Sequence, residues 1–158
     1  MTSLGIDRVP SWFATCVSGK SIEVVLAWLD ETDFRTYRMD WSSIRDERSL
    51  FEAVLGAVGR TKEGSGLEPL GPNLNWDGVA DYLYQELTTR PDERIAILWS
   101  GTDQMLGSRL QLFLNALEWL GTFAYQLSRT DENKTWSLTL RVLLLGDGPA
   151  FLAAVRTK

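Results

Sequence analysis

The stretch Pro91-Asp92-Glu93-Arg94-Ile95-Ala96-Ile97-Leu98-Trp99-Ser100-Gly101 decides the fold class. Its apolar run, Ile95–Trp99, stands between Pro91-Asp92 and Ser100-Gly101, two turn-forming pairs. The run is short for a helix and lacks the alternation of a half-exposed strand, so it reads as a strand buried on both faces. Helical patterns flank it. Upstream, Asn75 is placed to cap a helix over Trp76–Leu87, where Trp76, Val79, Ala80, Leu83 and Leu87 share one face at ~100° per residue. Downstream, Leu110, Phe113, Leu114, Leu117, Leu120 and Ala124 mark a long helix from about Ser108 to Leu127. The next apolar run, Leu138–Leu145, is interrupted only by Thr139 and Arg141 and reads as a second central strand. Strands joined through helices are what a parallel sheet requires.

Working outward, Phe34–Met39 alternates apolar and polar residues, a strand signal. Asp46 or Ser49 can cap the following helix, whose stripe is Leu50, Phe51, Val54, Leu55 and Val58. Gly59–Asn73 is polar and rich in Gly and Pro, a loop longer than most, of a kind that is often functional or simply mobile. Nearer the N-terminus, Trp12–Val17 reads as a β-prone edge strand and Ser18–Lys20 as a turn. Ser21 is a suitable cap for a helix with Ile22, Val25, Leu26 and Leu29 on one face. Val24 and Val25 also suit a strand, but helix is the preferred reading. Asp131–Lys134 is an expected turn, and Pro149–Lys158 an expected last short helix. The expected fold is α/β, a small parallel sheet with helices packed against it. One domain is expected over residues 1–158, with an N-terminal strand–helix extension (1–33), a core (34–146) and a tail (147–158). A hydrophobic fraction of 44% is enough to form that core.

Composition narrows the function. The net charge of −5 argues against non-specific nucleic-acid binding, which needs a basic surface, and suits a cationic protein partner. A single cysteine, Cys16, permits no internal disulfide. The segment Met1–Asp7 has neither a basic start nor an apolar stretch of signal length, and runs such as Val142–Leu145 are too short to span a bilayer. No membrane association is expected, and the cytoplasm is the expected compartment. The chain has no histidine. With one Cys and no His, zinc sites and Ser-His or Cys-His nucleophiles fall away. Gly64-Ser65-Gly66 lacks the Lys-Ser/Thr and preceding strand of a phosphate loop. No cofactor, no metal and no enzymatic activity are expected.

The helix after the long loop carries the remaining chemistry. Asp77 and Asp81 are four residues apart, so they sit together beside the apolar face, with Tyr84 and Gln85 next to them. Spacing alone is met by a solvated acidic face with Asp77 as a partner of the helix dipole. Spacing alone favours that reading over the other, a carboxylate pair presented to a cationic partner. A third possibility is a pair sharing Mg²⁺ or doing acid/base work, but no third ligand accompanies it.

The run Asn75-Trp76-Asp77-Gly78-Val79-Ala80-Asp81-Tyr82-Leu83 resembles the Asn-(Trp/Leu)-Asp-Ala-Leu-x-Asp-x-Leu signature of the barstar family of ribonuclease inhibitors. The strand Phe34–Met39, the helix through Asp46–Leu55 and the later strand–helix–strand order extend the resemblance over roughly Phe34 to Gly146. Trp12–Glu31 matches the N-terminal strand and helix of longer relatives. The resemblance implies an inhibitor, an antidote or immunity protein, that binds a small basic ribonuclease 1:1. Asp77 and Asp81 would enter its basic active site, Asp81 as the deeper phosphate mimic, with Asn73, Leu74, Asn75, Trp76, Gly78, Tyr84 and Gln85 around them. The alternative is a barstar-like module neutralising a different toxin or partner. Its motive is Glu68-Pro69-Leu70-Gly71-Pro72-Asn73-Leu74-Asn75, which replaces the family's aromatic approach to this helix. Gly78 stands where the family has Ala. Asp103 is the nearest match to a further acidic contact near the long helix.

The chain has seven tryptophans. Trp76, Trp99 and Trp119 fall on apolar faces and are expected in the core. Trp41, at a strand end, suits core or crevice packing more than an exposed anchor. Cys16 reads as a small buried hydrophobe.

Overall fold

The computed structural model describes residues 14–58, 74–88, 93–129, 137–149 and 151, with backbone only at 15 and 16. Among these residues four strands form one sheet: β1 (Ala14–Ser18), β2 (Phe34–Asp40), β3 (Arg94–Ser100) and β4 (Thr139–Gly146). All pairs are parallel and the order is β1-β4-β3-β2. The expected α/β class with a parallel sheet is therefore what the chain forms. The two apolar runs are the two central strands: Ile95 to Trp99 and Leu140 to Leu145 are all buried, as strands covered on both faces must be. β1 lies on one edge, as its brevity suggested, and its ladder runs from Ala14 opposite Val142 to Ser18 opposite Gly146. The strand of the N-terminal extension thus joins the same sheet as the rest.

Side-chain alternation divides the core in two. Ile95, Ile97 and Trp99 of β3 and Leu140, Val142 and Leu144 of β4 point to the larger core. Ala96, Leu98, Leu143 and Leu145 point to the smaller one, with Val17 and Phe34. Among the described residues, helix α1 (Ile22–Glu31) covers the smaller core with Val25 and Leu29. The larger core lies under α2 (Glu47–Val58), α3 (Trp76–Leu87), α4 (Thr102–Ser108) and α5 (Leu110–Ser128). Its floor is aromatic: Trp41 stands edge-on to Trp99 with ring centroids 4.2 Å apart, and Phe113 closes on both. Trp41 is thus a core residue.

The helix ends show which local signals hold. Asp46 and Ser49 both cap α2. Asp46 Oδ1 accepts from the Ser49 N–H at 2.8 Å, while Ser49 Oγ accepts from the Arg45 and Asp46 N–H groups at 2.8 and 2.9 Å. The Ser49 backbone N–H, and then the Ser49 hydroxyl, which donates to Asp46 Oδ1 at 2.7 Å, hold the Asp46 carboxyl below its ordinary value of 3.8, with Arg109 and Arg48 helping. A carboxyl depressed by folding stabilises the fold above its unfolded pKa and loses that contribution as pH falls through the folded value. Asp46→Ala should therefore unfold at lower urea than wild type near neutral pH, and the difference should shrink below about pH 4. Urea midpoints measured at pH 7 and pH 3 check this.

Ser21 differs from expectation. It occupies the position before α1 but makes no capping bond; Ser18 Oγ instead accepts from the Lys20 N–H inside a 3₁₀ turn, Gly19–Ser21. The long helix begins at Leu110, and α4 precedes it. Polar Gln104 and helix-weakening Gly107 and Ser108 hide α4 in the sequence, since it buries only Thr102 and Met105. Arg109 breaks the two helices apart with φ −144° and ψ 44°, and its guanidinium donates to the Ile44 carbonyl. Gly101, at φ +72°, turns the chain from β3 into α4, a conformation that favours glycine. Pro149 and Phe151 are helical, and Phe151 is buried in the larger core. The Gly59–Asn73 loop, the Asp131–Lys134 turn and the rest of the tail lie outside the described residues, as does the side chain of Cys16. No helix among the described residues is long and apolar enough to cross a membrane.

Candidate functional site

The face of α3 is built from its first residue. Asn75 has extended backbone (φ −132°, ψ 178°), and its Oδ1 accepts from the Gly78 N–H at 3.0 Å, satisfying a donor that the first helical turn leaves open. The Val79 N–H then bonds to the Asn75 carbonyl at 3.1 Å, and the helix runs to Leu87. Val79, Leu83 and Leu87 are fully buried in the larger core, and Trp76 and Ala80 pack against it half-buried. Burial of this stripe fixes the rotation of the helix. Asp77, Asp81, Tyr84 and Gln85 are consequently all exposed on the opposite side.

Asp77 and Asp81 lie one turn apart, about 5–6 Å between Cβ atoms. Neither has an ion-pair or hydrogen-bond partner among the described residues. Asp77 gains from the helix dipole, being in the first turn; Asp81 gains less, and the two repel each other. Local energetics neither require nor forbid the pair, since repulsion at this spacing costs only a few tenths of a kcal/mol. Placed together and hydrated, they can accept charge-assisted hydrogen bonds from an Arg or Lys of another molecule.

The other expected residues divide. Trp76, Asn75 and Gly78 are brought to the head of α3, and Leu74 packs half-buried just before it. Asn73 lies outside the described residues. Asp103 sits in the first turn of α4 against the end of β4, where a Cβ on Gly146 would stand 3.1 Å from its Oδ1 and one on Gly148 3.1 Å from its Cβ. No hydrogen bond or ion pair joins Asp103 to α3 among the described residues. Also among the described residues, no three carboxylate or thiol side chains converge as a metal site.

A residue missed in the sequence is Glu47. Its Oε1 accepts from the Trp76 indole N–H at 3.0 Å, joining the first turn of α2 to that of α3 across 29 positions. Trp76 is also edge-on to Phe51 at 4.6 Å and stacked on Trp119 at 4.6 Å, with Phe123 continuing the stack. Trp76 and Trp119 are therefore half-buried at the seam between α2, α3 and α5, whereas Trp99 is in the core as expected. Glu47 is one of many exposed glutamates, and no local pattern marks its partner.

Gly78 has room for a side chain. A Cβ there would meet Leu74 Cδ1 at 3.4 Å and Asn75 Oδ1 at 3.7 Å, ordinary contact distances. Gly78→Ala should stabilise the fold by up to about 1 kcal/mol, seen as a rise in Tm of about 2–4 °C.

No known family model matches the chain, and no curated protein matches it.

Proposed function

We propose that this protein inhibits a small basic ribonuclease by inserting the Asp77/Asp81 face of α3 into the nuclease's phosphate-binding site. The observation that carries the reading is the exposed carboxylate pair, unpaired within its own fold, on a helix whose opposite face is anchored in the core. Supporting it are the resemblance of Asn75–Leu83 to the barstar signature and the net charge of −5. Carboxylates spaced one helical turn apart mimic successive anionic groups of RNA toward Arg and Lys, and opposite net charge speeds encounter. The inhibitor carries out no chemistry; it occupies the site.

The test is a titration of a purified barnase-type ribonuclease with this protein, following RNA cleavage. Inhibition should saturate at one inhibitor per nuclease and weaken as salt rises from about 0.05 to 0.5 M, because added ions screen the charge pairs. Full cleavage at a tenfold excess of the protein in low salt would sink the reading for that nuclease class.

A second reading, a barstar-like module with another partner, is favoured by the Glu68–Asn75 segment, which lacks the family's aromatic approach. Under it, the same aspartates contact a cationic surface that is not a ribonuclease. Affinity capture on wild type but not on Asp77→Ala/Asp81→Ala, followed by identification of a non-nuclease, would establish it.

A further inference from the structure

We infer that Trp76 is the positioning residue of the acidic face and that Glu47 is its latch. This rests on the inhibitor reading for what the face does, but not for how the face is held. The first turn of a helix is its weakest part, because its N–H groups lack intrahelical acceptors. In α3 that turn carries Asp77 and precedes Asp81 by one turn. The Asn75 side chain satisfies the Gly78 N–H, but it is local and orients the turn relative to nothing else. Val79 anchors the end of the turn in the larger core, and Trp76 ties its start to the two neighbouring helices. Its ring is held between Phe51 of α2 and Trp119 of α5, and the Glu47 carboxylate fixes its one polar atom at 3.0 Å. The ring packing restrains tilt. The directional N–H···O bond selects the orientation of the indole within that packing, and hence of the Cα–Cβ bond adjacent to Asp77. A pair of carboxylates must be held closely to meet a fixed set of cationic groups, so the latch converts a frayed turn into a preorganised one.

Amide hydrogen exchange and ribonuclease inhibition, measured on wild type, Glu47→Gln, Glu47→Ala and Trp76→Phe, test the inference. Glu47→Gln keeps an oxygen acceptor and removes the charge. Glu47→Ala removes both. Trp76→Phe keeps an aromatic ring but has no N–H. Glu47→Ala and Trp76→Phe should speed exchange at Val79, Ala80 and Asp81 by about three- to tenfold, the worth of one hydrogen bond, and leave Ile97 and Leu98 of β3 unchanged. Glu47→Gln should remain within about twofold of wild type. Adding Glu47→Ala to Trp76→Phe should have no further effect, because the N–H that Glu47 accepts from is already gone. Inhibition of a barnase-type ribonuclease should weaken by a similar factor in Glu47→Ala and be restored in Glu47→Gln. Unchanged exchange in Glu47→Ala overturns the latch. Glu47→Gln behaving like Glu47→Ala also overturns it, since charge rather than the bond would then matter. If exchange speeds up while inhibition holds at the wild-type value, the positioning role falls. If wild type does not inhibit, the ribonuclease reading fails by itself, and the exchange results still decide the latch.

Discussion

Under the proposed inhibitor function, Asp81→Ala should abolish most of the inhibition while making the protein slightly more stable. Removing one partner of a desolvated charge pair in an interface costs about 2–5 kcal/mol, which is roughly thirty- to several-thousand-fold in affinity. The free protein moves the other way. Asp81 lies on the exposed side of α3, has no partner among the described residues, and stands one turn from a like charge. Alanine is the better helix former, and the substitution relieves the repulsion, together worth up to about 1 kcal/mol. Tm should therefore hold or rise by about 2–4 °C. Asp77→Ala should also weaken inhibition, but it gives up the favourable dipole position in the first turn, so no gain in Tm is expected. Opposite signs for binding and stability distinguish an interface residue from a structural one. If both single variants inhibit like wild type, this is not the contact surface.

Trp99→Ala should show the reverse pattern. Trp99 is fully buried in central strand β3, packed against Trp41 at 4.2 Å and near Phe113, with its indole N–H on Met39 sulfur. Truncation leaves a cavity beneath three elements and removes a large buried apolar surface, at about 3–5 kcal/mol. Natural domains have only about 5–15 kcal/mol in total, so the urea midpoint should fall steeply with little change in slope. The variant remaining folded at low temperature should still inhibit, because Trp99 is remote in role from the exposed face of α3. A loss below 1 kcal/mol would mean that the aromatic floor does not hold the sheet to its helices.

The two variants also mark what each level of description can reach. The rotation of α3 was legible because it rests on contacts within a few residues. Val79, Leu83 and Leu87 repeat at helical spacing, Asn75 supplies the cap, and the helix then has to expose Asp77 and Asp81. The central strands were legible because burial on both faces leaves a run of apolar residues with no polar phase. Helix α4 was not legible, because seven residues with two buried side chains carry too little periodicity. The half-burial of Trp76 and Trp119 was not legible either: both lie on apolar faces, and only the meeting of three helices decides how much of each ring is covered.

By itself, then, the sequence determined the four strands and the four longer helices, the burial of the two central strands and the outward direction of the acidic pair, all consequences of local periodicity and capping. The tertiary structure alone decided the strand order. β1 pairs with β4 across more than a hundred residues, and no local signal encodes which strand completes another's ladder; the helices covering each face do. It alone decided that Glu47 meets Trp76, because a hydrogen bond between the heads of two helices exists only once both are packed on the same sheet.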